Sequence, residues 1–433
     1  VVPLRPFGEV TTPALVVLGA GLSQRPLIQR AKERDLLTCV VDGRTDRPAS
    51  GDADIAIHQD FSDVPATIAA LTAAGVEAIG VCSMGSEQAV VPGALLAEAL
   101  GLPGLPVQAA LAATDKVRQR GLYRDHDVPS AGYAAAQTVE DALAAYDLLG
   151  PRVIIKPTDG AAQRGVSDVQ SREDVAAAVN HAIEHSRNGD LIVEEHLTGL
   201  EYTVNAFVLN GVFHPITVTL RELAPAPAVG ICVAHRYPCG CSAEDTATII
   251  DVVRQAAAAI GIDAAPVYAQ VRFGDDGPRM IECGARLGGG SDAALAKLVV
   301  GVDLLETMLD AALGRVGHAS LDPQAMAEPF GHSRFVIPMA PGRIQQAEPG
   351  NVCELPGIHD VGFFHHAGQI VPPLWSASGR LGVLLITATS DAELDARTDA
   401  ALAAINVTIE PMKPQAAAAA WSEQLRRERE GTP

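Results

Sequence analysis

The run Met280-Ile281-Glu282-Cys283-Gly284-Ala285-Arg286-Leu287-Gly288-Gly289-Gly290-Ser291 holds the most specific chemical signal in the chain. A glutamate inside an apolar strand must be paired or bind a metal. Arg286 follows four residues after Glu282, and three glycines then lead to a helix start at Ser291. Backbone N–H groups at such a helix start favour an anion. The competing reading is an ordinary turn before a helix.

Two other stretches place charge where apolar strands end. Val153-Ile154-Ile155-Lys156-Pro157 carries one of only five lysines and runs into the loop Thr158 to Gly165. A cation there needs a partner anion, and the small residues of the loop could fold their N–H groups over phosphates with Arg164 adding charge. A structural salt bridge is the alternative, and the G-K-[ST] ending of a P-loop is missing. Leu191-Ile192-Val193-Glu194-Glu195-His196-Leu197, followed by Gly199 and Glu201, puts three carboxylates near a strand end, suited to ribose hydroxyls or an adenine amino group or to a solvated turn. Gly19-Ala20-Gly21 also follows an apolar run, but the third glycine of a dinucleotide fingerprint would fall on Gln24. A nicotinamide oxidoreductase is therefore a weak rival.

The elements that must position these residues come in two styles. Apolar runs at 14–18, 37–41, 53–57 and 78–82 alternate with helical stretches, the rhythm of a parallel sheet with helices on both faces. After the connector at 101–106, residues 109–128 read as a helix and 152–156 as a strand, with Ser171 and Asp174 marking the next helix start. From Gly189 onward the pattern is strand-rich: 191–195, 201–208 and 212–220, with Asn210-Gly211 as a hairpin turn. A long helix is expected after Ser242, strands at 266–273 and 279–283, and one helix from Ser291 to Leu313. His318 to Pro329 reads as a linker, 334–339 and 380–387 as strands, Ser390 with Glu393 as a capping box, and the segment from Gln415 as a fraying helix.

Composition narrows the function classes. The 433 residues are 48% hydrophobic and 19% charged, with a net charge of −20. That charge argues against nucleic acid as a partner, the only dense basic stretch being Arg426, Arg427 and Arg429. No apolar run approaches the ~18 residues of a membrane span, and the opening Val1-Val2-Pro3 does not resemble a secretion signal. The seven cysteines fit neither a zinc ribbon nor a disulfide scaffold, so free thiols in a reducing cytoplasm are expected.

In this order and spacing, the segments resemble the ATP-grasp superfamily over roughly 110 to 315. Thr114-Asp115 opens a helix at Lys116, the strand lysine Lys156 precedes a glycine loop, Glu194 to Glu201 follows, and the strand pair ends in Glu282 and Arg286. The resemblance implies ATP with magnesium, or manganese in its place. Lys116, Lys156 and Gly165 would serve the phosphates, Glu194, Glu195 and Leu197 the adenine edge, Glu201 the ribose, and Ile281 the adenine face. Glu282 would bind the metal, and Arg286 would stabilise an acyl phosphate and a tetrahedral intermediate. Two positions depart from the family pattern: Gln270 replaces the usual acid and Gly284 the usual asparagine. The form Glu282-Cys283-Gly284-Ala285-Arg286 looks most like the L-amino-acid ligase branch, in which small residues replace that asparagine and natural-product dipeptides are common products.

The implied fold is α/β and α+β. It comprises a Rossmann-like domain over 1–108, ATP-grasp lobes over 109–188 and 189–317, and a small C-terminal α+β domain of L-amino-acid-ligase type over 318–433. Glu87, Arg221, His235, Arg236, Gly288 and Gly289 are candidate contacts for a small-molecule carboxylate and an amine, and a homodimer is expected. Other ATP-grasp chemistry, such as carboxylation or purine-pathway ligation, and a non-catalytic ATP-binding protein remain as alternatives.

Overall fold

The computed structural model of the chain describes residues 11–44, 47–160, 162–225, 228, 230–315 and 321–430. The opening Val1-Val2-Pro3, Ala161 of the loop and the first residues of the expected linker, 318–320, lie outside them, as does the side chain of Arg429.

The first sheet is parallel throughout, in the order Ile55–His58, Thr38–Asp42, Thr12–Leu18, Val76–Cys82. Its central strand is apolar on both faces, with Ala14 to Leu18 all buried, as a strand covered by helices requires. Gln24 occupies the place of a third fingerprint glycine. Its amide donates to Met84 O at 2.7 Å and accepts from Met84 N at 2.8 Å, which pins two sheet-edge loops together where a dinucleotide would need an open approach.

The second sheet has four antiparallel strands, Tyr133–Ala136, Leu191–Glu195, Val153–Pro157 and Ser167–Val169. Leu191–Glu195 pairs in this sheet although it lies after residue 188. The third sheet runs through eight antiparallel strands: Gly277–Gly284, Ala265–Gly274, Leu200–Leu209, Val212–Leu223, Cys232–Tyr237, Phe330–Val336, Gly382–Ala388 and Ile358–Phe363. It is continuous across residue 318, because Cys232–Tyr237 pairs with Phe330–Val336. A small sheet of Ile370–Val371, Gly342–Glu348 and Asn406–Pro411 completes the C-terminal segment.

Two expected helices are each divided. Residues 109–128 become Val107–Ala113 and Lys116–Asp125, because Asp115 accepts from Arg118 N and starts a new helix. Residues 291–313 become Asp292–Val300 and Leu304–Ala312, the second capped by Asp303. Leu304–Ala312 also fastens the first sheet's layer: Arg30 meets Asp303 at 2.5 Å, and Arg34 meets Glu306 at 3.0 Å and Asp310 at 2.7 Å. The helix after Ser242, Ala243–Ile260, and the terminal helix Pro414–Glu430 form as expected. Asn210 and Gly211 both take positive φ in their hairpin. The strand expected at 334–339 sits earlier, at Phe330–Val336.

Gly199 is the tightest point in the connector between the second and third sheets. Its φ is +102°, and a Cβ there would sit 2.0 Å from Phe273 O. Gly199→Ala is therefore expected to lower unfolding stability by about 2–4 kcal/mol through backbone strain and clash, read as a reduced midpoint in denaturant titration. An unchanged midpoint would mean that this connector is looser than its geometry.

Candidate active site

A cavity of about 830 Å³ lies between the four-stranded and eight-stranded sheets and reaches residues of the first and C-terminal segments. Of the residues singled out from sequence, it collects Lys116, Lys156, Glu194, Glu195, Leu197, Glu201, Gln270, Ile281, Glu282 and Arg286 on its walls, with Glu87, Arg221, His235 and Gly289.

Glu194 carries a deeply buried charge. Its carboxylate is buried, with Lys156 Nζ at 2.6 Å and Arg120 at 2.8 Å. Strand alternation turns Lys156 and Glu194 to the same face of neighbouring strands, and Arg120 reaches them from the helix Lys116–Asp125. Burial alone would raise the Glu194 carboxyl, but Arg120 and Lys156 hold it below the usual carboxylate range. Burial pushes the Lys156 ammonium down despite Glu194. Arg120 also donates to Ile281 O at 2.6 Å, which fixes the strand bearing Ile281 and Glu282.

Lys116 Nζ donates to Gly160 O at 2.8 Å and stands 3.9 Å from Glu282. It bridges the glycine loop and the opposite wall, where a phosphate chain would pass. Burial would raise the Glu282 carboxyl, yet Lys116, Lys156 and Arg286 keep it below its ordinary range. Gln270 is the direct register partner of Glu282. No group of three or more His, Cys, Asp or Glu among the described residues could hold a metal. One carboxylate and one amide oxygen fit a magnesium whose remaining positions are taken by phosphate oxygens and water.

Around the adenine-edge candidates, much is already engaged. Glu195 N donates to Gly132 O at 2.8 Å, so its backbone offers a carbonyl, and its carboxylate pairs with Arg279 at 2.8 Å. Glu201 is held by Arg221 at 2.7 Å and Arg272 at 2.5 Å. A ribose hydroxyl would have to share its remaining lone pairs.

At the far wall Arg286 Nε meets Glu87 at 2.6 Å, and the guanidinium lies 5.5 Å from the Tyr268 ring centre. The glutamate expected to meet an amine thus also aims the arginine. Gly289 faces the cavity and would leave open space around a Cβ, with only Gly85 O at 3.9 Å. Gly288 does not face it: a Cβ there would strike Tyr268 at 2.5 Å and Asp292 at 2.6 Å, so this glycine permits close packing behind the wall. Gly165 likewise turns the loop against His185 and Pro157 rather than lining the cavity. Ser291 makes no side-chain cap and takes φ +65° instead. Arg236 corrects the substrate-contact expectation: it is drawn away by Asp391 and Asp395, both at 2.7 Å, on the helix Asp391–Ala404.

His235 is buried beside Asp292 at 3.4 Å and Cys232 at 3.3 Å. Burial would lower its imidazole, but Asp292 and Cys232 raise it above the ordinary histidine value. Sequence reading missed Arg120, Tyr268, Asp292, Phe335 and Arg380. Arg120 stands four residues after Lys116 on one helix, so the shared face was a usable signal. The others come together only through folding of distant segments.

A family model for an ATP-grasp domain matches residues 149–293, and one for L-amino acid ligase C-terminal domain 2 matches residues 334–410. Alanine–anticapsin ligase of Bacillus subtilis is 25% identical over 262 residues, 55% of this chain and 54% of the relative. D-alanine–D-alanine ligase of Pseudomonas entomophila is 28% identical over 184 residues, 41% of this chain and 56% of the relative. The chain spans about half the length of the curated relatives it matches. The fold is similar to the crystal structure of L-amino acid ligase from Bacillus licheniformis, with TM-score 0.78, 19% identity, and 92% of this chain and 99% of that one covered.

The Glu194 cluster has a measurable signature. Glu194→Gln leaves Lys156 and Arg120 buried without their anion and is expected to cost about 3–5 kcal/mol at neutral pH. The carboxyls of Glu194 and Glu282 are depressed in the folded state. The unfolded chain therefore binds protons first as pH falls below the ordinary glutamate value of about 4.3. Their stabilisation is complete above that value and lost as pH drops through the folded values. Calorimetric melting from pH 7 to 3 should show a shallower acid loss in Glu194→Gln than in the wild type. Identical profiles would contradict this.

Proposed function

We propose that this chain, which belongs to the ATP-grasp superfamily and carries an L-amino acid ligase C-terminal domain, is an ATP-dependent carboxylate–amine ligase. It joins two amino acids, or an amino acid and a small amine, through an acyl phosphate and releases ADP and phosphate. The observation that carries this reading is the shared cavity, in which the Lys116–Lys156–Glu282 group faces Arg286 oriented by Glu87. The ligase names of the relatives support it, and a role in natural-product biosynthesis is part of the same proposal.

The chain's own groups divide the work. Lys116 and Lys156 offset phosphate charge, the loop 157–165 covers it, and Ile281 packs on the base. Glu282 and Gln270 would hold magnesium, which when bound would supply charge neutralisation at the phosphates. In the first step the donor carboxylate attacks the γ-phosphorus, forming a C–O–P bond as the bond to ADP breaks. In the second, the free amine attacks the acyl carbon and phosphate leaves. Arg286 faces the oxygen on which charge develops, the geometry in which a fixed donor is most useful. Residues 1–108 would supply Glu87 to the acceptor side, 109–188 and 189–317 the nucleotide lobes, and 318–433 the remaining wall. The seven free cysteines suit a reducing cytoplasm, and no helix among the described residues is long and apolar enough to cross a membrane.

Phosphate release should appear when the protein is given ATP, magnesium and a productive pair from a panel of amino acids, with the coupled product detected by mass. Arg286→Ala is expected to lower the ligation rate by about 10²–10³-fold while ATP still binds. Phosphate release with bicarbonate but with no amino-acid pair would favour a carboxylating enzyme. ATP binding with no release under any pair would favour a non-catalytic binder.

A further inference from the structure

One guanidinium on the cavity wall lacks an anion. Arg380, just before the strand Gly382–Ala388, stacks 4.0 Å over the Phe335 ring and lines the cavity. Its Nε is buried without a hydrogen-bond partner, and no carboxylate among the described residues pairs with it. Of the other acids around the cavity, Glu201 pairs with Arg221 and Arg272 and Glu87 with Arg286, while Asp292 lies 3.4 Å from His235 and makes no ion pair with Arg380. Burial lowers the Arg380 pKa and Arg221 adds repulsion, which Cys232, Tyr268 and Asp292 offset only in part. A cation withdrawn from water needs a compensating anion, and no carboxylate among the described residues makes a direct ion pair with Arg380.

The surroundings indicate which anion would fit. Tyr268, His235 and Phe335 form a wall of rings, adjacent centres 6.5 Å apart, between Arg286 at one end and Arg380 at the other. The donor's carboxylate is consumed at Arg286 in the proposed reaction. When an amino acid is the amine component, it keeps its own carboxylate through both steps. The geometry points to Arg380 as the residue that binds this retained carboxylate and so selects amino-acid acceptors over simple amines. This rests on the ligase reading above. A planar guanidinium can offer two parallel N–H donors, which a carboxylate accepts and a carboxamide cannot match. The same segment touches the nucleotide loop, Ala377 N donating to Ala162 O at 3.2 Å. The acceptor site and the phosphate loop therefore meet next to Arg380.

The test is calorimetric titration of the full chain, loaded with ADP and magnesium, with L-amino acids and with the matching carboxamides. Wild type should bind at least one free acid about 10–100-fold more tightly than its amide. Arg380→Ala should reduce that preference to below about 3-fold, with Arg380→Lys in between. ADP affinity should stay within about 2-fold, showing that the variant is folded. The assignment is overturned if no free acid binds the wild type, if acids and amides bind it alike, or if either folded variant keeps the full preference. Phosphate release on the same wild-type preparation reports separately on the ligase reading. Equal turnover of acid and amide acceptors would overturn Arg380 and leave the ligase standing. Arg380-dependent acid binding without phosphate release under any pair would overturn the ligase and leave the carboxylate site.

Discussion

Glu194 sits in a slot where water cannot solvate it, and the cavity wall around it is arranged to compensate. Lys156 reaches it from the adjacent strand and Arg120 from a helix more than thirty residues earlier in the chain. Because Arg120 also holds the Ile281 carbonyl, the same guanidinium ties the antiparallel four-stranded sheet to the edge strand of the eight-stranded one. Removing Glu194 leaves two buried cations without their anion, so the three constrain one another's positions. The cluster thus sets where Glu282 and Lys116 stand relative to the glycine loop.

The large sheet performs the second task of joining functions across sequence distance. Its first strands carry Gln270 and Glu282, its middle strands Arg221 and His235, and its later strands lead to Phe335 and Arg380. One hydrogen-bonded surface therefore runs from Gln270 and Glu282 to Phe335 and Arg380. Among the described residues, the parallel sheet's layer contributes only Gly85 and Glu87 to the cavity, through the loop after Val76–Cys82. Glu87 reaches Arg286 because the first layer is clamped by Arg30 and Arg34 to the helix Leu304–Ala312.

Much of the nucleotide side was legible because local rules govern it. Lys156 at a strand end, paired acids after an apolar run, and a glutamate inside an apolar strand each violate ordinary patterning, and such violations gather at sites. Sequence could not show that Glu194 and Lys156 neutralise each other, since strand register is non-local. Arg236 misled for the same reason: nothing near it in the chain reveals Asp391 and Asp395. The glycines were a mixed signal. Gly289 faces the cavity, whereas Gly288 and Gly165 are small because Tyr268 and His185 press on them from behind. Arg380 and Phe335 lie in a segment whose sequence resembles ordinary sheet edge, and only the fold brings them beside His235.

The most direct test of the chemistry is isotopic. With a productive substrate pair, a donor labelled with ¹⁸O in both carboxylate oxygens should pass one labelled oxygen to the released phosphate at each turnover. The label would mark attack of the carboxylate on the γ-phosphorus followed by cleavage at the acyl carbon. Released phosphate free of label during coupled product formation would contradict the acyl-phosphate account of this site.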